Sequence, residues 1–344
     1  ESVKERAQGI DNAEGKQRII LELYEKFFKI ALPKEVDKLG IVYTPPECVD
    51  FIIHSVEYLM NKEFGKSVSD HGVHIIDGFT GTGTFIVRLL QSGVIKKEDL
   101  LYKYANDIHA NEIVLLAYYI AAINIEETFH ELSGKKEYTP FDGIVLTDTF
   151  QLYDDKYENN EYISEMLEEN NERANRQKEL PITVCIGNPP YSIGQKSAND
   201  NAANLHYKNI DEKIANTYAT FSKANLKKGL YDNYIRAFRW ATDRIEENGI
   251  ISFITNGSFI DNQGMDGFRK SLLDEFTSVY VFNLRGNART SGEQRRKEKD
   301  NVFGQGTRTT VTITCLIKNK KRKKDDFVHY YDIGDYLNRE QKLT

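Results

Sequence analysis

Cysteine, proline and long apolar runs are all scarce in this sequence of 344 residues. The three cysteines, Cys48, Cys185 and Cys315, stand far apart and lack metal-ligand spacing, which excludes a disulfide framework or a zinc site and favours reduced thiols in the cytoplasm. No apolar run approaches the roughly 18–20 residues of a membrane span, and the charged start of the chain is not a signal peptide. With 7 prolines and 40% hydrophobic residues, the chain is neither collagenous nor mostly disordered.

A basic excess is absent as well, because 46 Lys and Arg stand against 52 Asp and Glu. Proteins that bind nucleic acid usually show such an excess, yet one basic face on an acidic body is enough to attract phosphates. The Arg-rich stretch from Arg285 to Arg296 is the better candidate for contact with DNA. For the Lys318–Lys324 cluster, a solvated end of a strand is the favoured interpretation over contact with phosphates. Since the first residue is Glu1 and not Met, we expect a segment of a longer polypeptide.

Two kinds of pattern divide the chain near residue 70. Residues 1–35 and a stretch beginning near Pro46 have helical periodicity, whereas strand-like and helical segments alternate from Gly72 onwards. This alternation predicts an α/β fold with a mostly parallel sheet covered on both faces. We expect two domains, a helical segment at residues 1–70 and a second domain at residues 71–344. Long loops are expected at Ser192–Ala215 and Gly286–Asn301. The predicted strands are Val73–Asp77, Tyr102–Asp107, Gly143–Leu146, Ile182–Gly187, Gly249–Thr255, Val279–Leu284 and, with one wetter face, Thr309–Lys318.

A glycine-rich turn, D-G-F-T-G-T-G-T, runs from Asp77 to Thr84 between the first strand and a helical pattern. Such a turn lets a ligand approach the backbone closely and directs helix N–H groups at it. It differs from the dinucleotide fingerprint, and Asp77 before the first glycine suits a ligand that carries an ammonium group. The alternative interpretation is an ordinary tight turn.

Two further acidic positions follow predicted strands. Asp107 comes 24 residues after Gly83, a distance typical of a carboxylate that binds a ribose hydroxyl pair, although Asp107 also suits a helix cap. Asp148, within Thr147-Asp148-Thr149, follows the third strand and suits an adenine amino group. Together the three strand ends predict an adenosine ligand that bears an amino acid, which is S-adenosylmethionine.

The segment Asn188-Pro189-Pro190-Tyr191 directly follows a strand of the buried type. Two successive prolines hold the backbone extended and remove two N–H donors, so the Asn188 side-chain carbonyl and the Pro189 carbonyl become fixed acceptors. They suit the two protons of an exocyclic amine, while the ring stacks on Tyr191. The alternative is a proline-rich turn with an exposed tyrosine.

At these residues the sequence resembles the adenine-N6 DNA methyltransferases with an N-P-P-Y motif. The stretch Tyr43-Thr44-Pro45-Pro46 precedes the glycine turn, which precedes N-P-P-Y, and this is the gamma order of the family. The run from Asp11 to Pro45 is similar to the methyltransferase modules of single-chain type ISP restriction–modification enzymes. The resemblance covers about residues 40–320. It implies the class I S-adenosylmethionine-dependent fold, with seven mostly parallel strands and an antiparallel last strand.

The resemblance also implies residue roles. Asn188, Pro189, Pro190 and Tyr191 would act on a flipped adenine in double-stranded DNA, with Phe303 stacking on its other face. Gly78 stands where the family usually has Pro, and Asp107 where Glu is common. No metal is expected, and the full-length chain would also carry helicase, nuclease and recognition domains, the last lying outside this fragment. The implied cofactor-binding residues are Thr44, Asp77, Gly81, Gly83, Asp107, Ile108, Asp148 and Thr149.

Three alternatives stay open. The same module serves RNA and protein-glutamine amino-methyltransferases, in which another amine occupies the pocket. A non-catalytic DNA-recognition scaffold is disfavoured by the intact Asp77, Asn188 and Tyr191. A nicotinamide dehydrogenase is disfavoured by the acid before the glycines.

Overall fold

The computed structural model describes residues 44–135, 137–152, 168–190, 207–304 and 307–344. The predicted helix of residues 1–35 therefore lies outside the described residues. The strands are β1 (His74–Asp77), β2 (Ile108–Glu112), β3 (Ile144–Leu146), β4 (Ile182–Gly187), β5 (Asn248–Asn256), β6 (Ser278–Arg285), β7 (Val311–Asn319) and β8 (His329–Asp332). The helices are α1 (Pro46–Phe64), α2 (Thr84–Gln91), α3 (Leu100–Asn106), α4 (Leu115–Ser133), α5 (Thr149–Leu152), α6 (Glu168–Glu179), α7 (Lys208–Ile214), α8 (Asn233–Arg244), α9 (Asp266–Glu275), α10 (Gly292–Glu298) and α11 (Arg339–Leu343).

The eight described strands form one sheet in the order β3-β2-β1-β4-β5-β7-β6-β8. All neighbours pair in parallel except β7, which lies antiparallel between β5 and β6. The predicted α/β class with a mostly parallel sheet and an antiparallel strand is thus confirmed. The structure adds β8, a short strand on the outer edge of β6 that the seven-strand expectation lacks.

Both faces of the sheet are buried, as the alternation along β5 shows. Ile250 and Ile254 belong to the first core, which also contains α1, α2 and α4, whereas Ile251 and Phe253 belong to the second core, under α8 and α9. β7 lies in the middle of this layered structure, and Thr312 and Thr314 on it are fully buried. The expectation of a wetter face on this strand is therefore wrong, because both of its faces are covered.

Helix α1 begins at Pro46, which confirms the predicted start. Proline suits the first helical position because the N–H it lacks would have no partner there. The inner face of the helix packs into the first core through Ile52, Ile53 and Val56. None of the described helices has the length and apolarity needed to cross a membrane.

Three predicted segments have a different structure. Residues 100–106 form helix α3, and the second strand lies after it, at Ile108–Glu112. Leu100 and Tyr104 are four residues apart and both are buried. The buried residues of this segment therefore recur with the period of a helix and not with the two-residue period of a strand. The segments expected to be long loops contain helices α7 and α10; of the first, residues 192–206 lie outside the described residues.

Candidate functional site

The site lies at the carboxyl ends of strands β1 to β4. Because these strands are parallel, their carboxyl ends meet at one edge of the sheet. Asp77 ends β1, Glu112 ends β2, Asp148 comes two residues after β3, and Asn188 directly follows β4. Open α/β sheets bind ligands at this edge, where the strand order reverses direction.

The glycine turn connects β1 to α2 with two residues in the left-handed region. Gly81 has φ +58° and Gly83 has φ +90°, a conformation that disfavours side chains. A Cβ on Gly83 would lie 3.3 Å from the Ala121 backbone, whereas one on Gly81 would meet none of the described residues within 4 Å. Gly83 is therefore required for packing against α4, and Gly81 leaves open space that a ligand can use.

Gly78, the departure from the family pattern, has a packing reason. A Cβ at this position would lie 2.6 Å from the Cη2 atom of Trp240. The indole of Trp240, on α8, occupies the space that a side chain at residue 78 would need. The glycine therefore lets the turn pack directly against the second core. The Thr149 hydroxyl donates a hydrogen bond to the Gly78 carbonyl at 2.5 Å, which ties the turn to the segment after β3.

Asp77 is fully buried beneath the glycine turn. Its Oδ1 accepts a hydrogen bond from the Phe79 N–H at 3.0 Å. Its Oδ2 is buried and has no hydrogen-bond partner among the described residues. Burial, with the nearby Glu112 charge, raises the pKa of Asp77 to about 7. A buried carboxylate oxygen without a donor suits a ligand that supplies an N–H group or a positive charge.

Glu112 is the acid at the end of β2, and the sequence reasoning missed it. Its Oε2 accepts from the Gly81 N–H and its Oε1 from the Val114 N–H, each at 2.7 Å. Burial raises its pKa to about 7. The available signal is the residue type itself, since the family pattern has Glu at the position assigned to Asp107 from the sequence.

Asp107 lies at the opposite end of β2, so its expected position at the carboxyl end of the second strand is wrong. It accepts hydrogen bonds from the buried Lys103 ammonium at 3.0 Å and from the Gly72 N–H at 2.9 Å. His74 lies 3.6 Å away on the adjacent strand. Ile108 likewise begins β2 and is buried in the first core, so it does not reach the carboxyl edge. The residue that follows Glu112 is Ile113, whose side chain is exposed.

Asp148 and Thr149 lie where the sequence places them, directly after β3. Asp148 Oδ1 accepts from the Phe150 N–H at 2.9 Å, and Oδ2 accepts from the Tyr207 hydroxyl at 2.9 Å. Burial raises the pKa of Asp148. Arg236 packs over the Tyr207 ring and forms a buried ion pair with Asp211, so a network of side chains holds this carboxylate in place.

Asn188 and Pro189 continue from β4 next to Asp77. Gly187 has φ +151°, and a Cβ there would lie 2.8 Å from Asp77 Oδ1. The carboxylate therefore borders the backbone that leads into Asn188. The Asn188 Nδ2 donates to Thr44 Oγ1 at 3.0 Å, which brings together the two proline-containing motifs. Tyr191 lies outside the described residues.

Phe303 lies in the segment between β6 and β7, which begins and ends at the same sheet edge. Asn301 donates to the carbonyls of Gly286 and Thr309 at 3.1 and 2.8 Å, and so joins the two ends of this segment. Its Oδ1 accepts from the Phe303 N–H at 2.9 Å. The Phe303 side chain is half-buried against the first core.

Several of the candidate basic residues already have acidic partners. Arg285 pairs with Asp332 and Asp335 at 2.6 and 2.5 Å. In the Lys318–Lys324 cluster, Arg322 pairs with Glu63, and Lys320 pairs with Glu247 at 2.7 Å. These pairs lie at or near the surface and favour the interpretation of the cluster as a solvated end of β7.

The family model described as Eco57I restriction-modification methylase matches residues 99–289, more than half of the chain. A nuclease-deletion mutant of the type ISP restriction-modification enzyme LlaGI, in complex with a DNA substrate mimic, is 50% identical with a TM-score of 0.89, over 99% of this chain and 27% of that one. The ATP-dependent type ISP enzyme LlaBIII bound to DNA is 49% identical (TM-score 0.89), over 98% of this chain and 22% of that one.

DrdV in complex with DNA is 40% identical with a TM-score of 0.89, over 99% of this chain and 32% of that one. This chain therefore spans less than a third of the length of each of these three proteins. The family match, the resemblance noted in the sequence and the sheet-edge site agree. The chain belongs to the Eco57I restriction-modification methylase family.

Proposed function

We propose that the chain transfers the methyl group of S-adenosylmethionine to the 6-amino group of an adenine in double-stranded DNA. The observation that carries this proposal is the position of the Asp77 carboxylate beside Gly187, the residue before Asn188, where an added Cβ would lie 2.8 Å from Asp77 Oδ1. It joins an acidic, glycine-lined cofactor pocket to a pair of fixed acceptors. Methyl transfer requires such proximity, because the amine must attack in line with the leaving sulfur.

The described residues fit this cofactor, which supplies an activated methyl group on a sulfonium. The partnerless, buried Oδ2 of Asp77 would accept from the ammonium of its methionine end. Glu112 would accept from the ribose hydroxyls, in place of Asp107. Asp148 would accept from the adenine amino group, while Ile113 would pack on the ring in place of Ile108. Gly81 and Gly83 would allow close approach.

On the acceptor side, Asn188 Oδ1 and the Pro189 carbonyl would each accept one proton of the target amine. These two hydrogen bonds would favour tetrahedral nitrogen and free its lone pair for attack. Attack by this lone pair would form the N–C bond as the S–C bond breaks; the sulfur would leave as a neutral thioether, and the methylated amine would lose one proton to solvent. Pro190 would hold the backbone rigid, and Tyr191 and Phe303 would stack on the extruded base, offsetting part of the stacking lost from the duplex.

DNA as the substrate is supported by the DNA complexes of LlaGI, LlaBIII and DrdV. We further propose that the chain works as the modification module of a longer enzyme, linked to helicase, nuclease and recognition domains. In that arrangement residues 71–344 would form the catalytic domain, preceded by a segment of residues 1–70 that includes the Tyr43–Pro46 stretch.

The test is to incubate the chain with S-adenosylmethionine labelled on the methyl group and with unmethylated genomic DNA, then to hydrolyse the DNA to nucleosides. The label is expected in N6-methyl-2′-deoxyadenosine. Label in a methylated cytosine would contradict the base assignment. Label transferred to RNA or protein, with none in DNA, would contradict the substrate.

A further inference from the structure

We infer that Thr44 is a positioning residue for the acceptor asparagine: its hydroxyl oxygen fixes the plane of the Asn188 carboxamide. The inference rests on the proposed function and deepens it. The resemblance gives Thr44 a different role, contact with the methionine end of the cofactor. In the structure its hydroxyl is the acceptor for Asn188 Nδ2 at 3.0 Å, between residues 144 positions apart.

Both partners are mounted on rigid backbone. Thr44 precedes Pro45 and Pro46, and Asn188 precedes Pro189 and Pro190. A residue before proline is restricted to extended conformations, and each proline has a fixed φ. Pro45 has φ −56° and ψ 132°, and Pro46 begins helix α1, whose inner face is anchored in the first core. Thr44 is therefore held at the end of a fixed helix and is itself buried.

A carboxamide carries its nitrogen and oxygen at opposite ends of one plane. When Nδ2 is bound to Thr44, rotation about the terminal torsion of Asn188 is lost and Oδ1 has one direction. Asparagine otherwise has a broad preference at this torsion, and the flipped amide would present an N–H donor to the target amine. An N–H donor cannot accept an amine proton, so the flipped state is inactive. Thr44 thus holds the carboxamide plane of Asn188 in the orientation that the structure shows, without contacting the amine.

The matched variants are Thr44→Val, which keeps the shape and removes the hydroxyl, and Thr44→Ser, which keeps it. With saturating cofactor and DNA, Thr44→Val is expected to lower kcat at least tenfold. Its dissociation constant for S-adenosylmethionine should stay within about threefold of the original chain, and Thr44→Ser should restore most of kcat. Unchanged kcat in Thr44→Val would overturn the inference. Cofactor affinity weakened tenfold with kcat retained would instead show that Thr44 is a cofactor contact.

A second measurement does not depend on activity. With ¹⁵N-labelled asparagine, the side-chain amide signal of residue 188 is identified by its absence in Asn188→Ala. Its protons should exchange slowly in the original chain and in Thr44→Ser, and at least tenfold faster in Thr44→Val. Equal exchange in all three would overturn the inference. A chain that transfers no methyl group but shows this exchange pattern would contradict the proposed function and leave the positioning of Asn188 supported.

Discussion

The two acids at the ends of β2 provide the sharpest test of the cofactor site. Glu112 lies at the carboxyl end beside the glycine turn, and Asp107 at the other end beside Lys103. Changing each to its amide keeps the side-chain shape and removes one charge. If the strand end decides the role, Glu112→Gln affects cofactor binding and Asp107→Asn affects stability.

The expected magnitude for Glu112→Gln follows from its contacts. Both oxygens already accept a backbone N–H, so the glutamine nitrogen would face a donor and would no longer accept a ribose hydroxyl. The loss of one charge-assisted hydrogen bond costs about 1.5–3 kcal/mol. We therefore expect affinity for S-adenosylmethionine, measured by calorimetry, to fall about 10- to 100-fold.

Asp107→Asn is the control and should behave differently. Lys103 and Asp107 are both buried, with 0% and 1% of their side chains exposed. Removing one partner of a buried pair costs about 3–5 kcal/mol, so unfolding by denaturant should require markedly less denaturant. Cofactor affinity of the folded variant should stay within about threefold. Weak cofactor binding in Asp107→Asn and normal binding in Glu112→Gln would refute the assignment and restore the original sequence-based one.

The pKa values of Asp77 and Glu112 are both raised to about 7, so the cofactor-free folded chain keeps protons that the unfolded chain releases. Its stability should therefore fall between about pH 4 and pH 7. Affinity for the cationic cofactor should rise over this range and then level off, and an affinity that declines with pH would contradict this. Asn188→Ala should abolish methyl transfer, measured with labelled cofactor, and leave cofactor affinity within a few-fold; retained transfer would exclude its role as an acceptor. Gly78→Ala should destabilise the fold by about 1–3 kcal/mol in denaturant unfolding through overpacking against Trp240, and Trp240→Phe should relieve part of that loss; a fully stable Gly78→Ala would contradict the close packing.

The sequence predicts those parts of the site in which local pattern and position agree. β1 and β4 are short apolar runs that end at a motif, so Asp77 and Asn188 could be placed correctly. β2 could not, because its sequence Ile-His-Ala-Asn-Glu is mostly polar yet fully buried. His109 is buried against the neighbouring His74, with ring nitrogens 3.1 Å apart, and Glu112 is bound by the glycine turn. These partners come from other segments, and a linear pattern does not contain them.

The contact between Thr44 and Asn188 was hidden for the same reason. Each residue is recognisable from the two prolines that follow it, but their pairing depends on where α1 packs against the sheet. The extra strand β8 also escapes the pattern, since it has four residues and, among the described strands, pairs only with β6. Local chemistry is thus readable from the sequence, whereas long-range polar pairing requires the fold.

The strand order explains why cofactor and acceptor groups meet at Asp77. The chain passes from β1 to β2 and β3 on one side and then crosses to β4 on the other. Asp77 pairs in register with Ala110 of β2 and with Ile186 of β4, so Glu112 and Gly187 both emerge beside it. A side chain on residue 187 would occupy the space next to the Asp77 carboxylate. The absence of a side chain on Gly187 therefore matters as much as the acid itself, because it lets one carboxylate border both halves of the site.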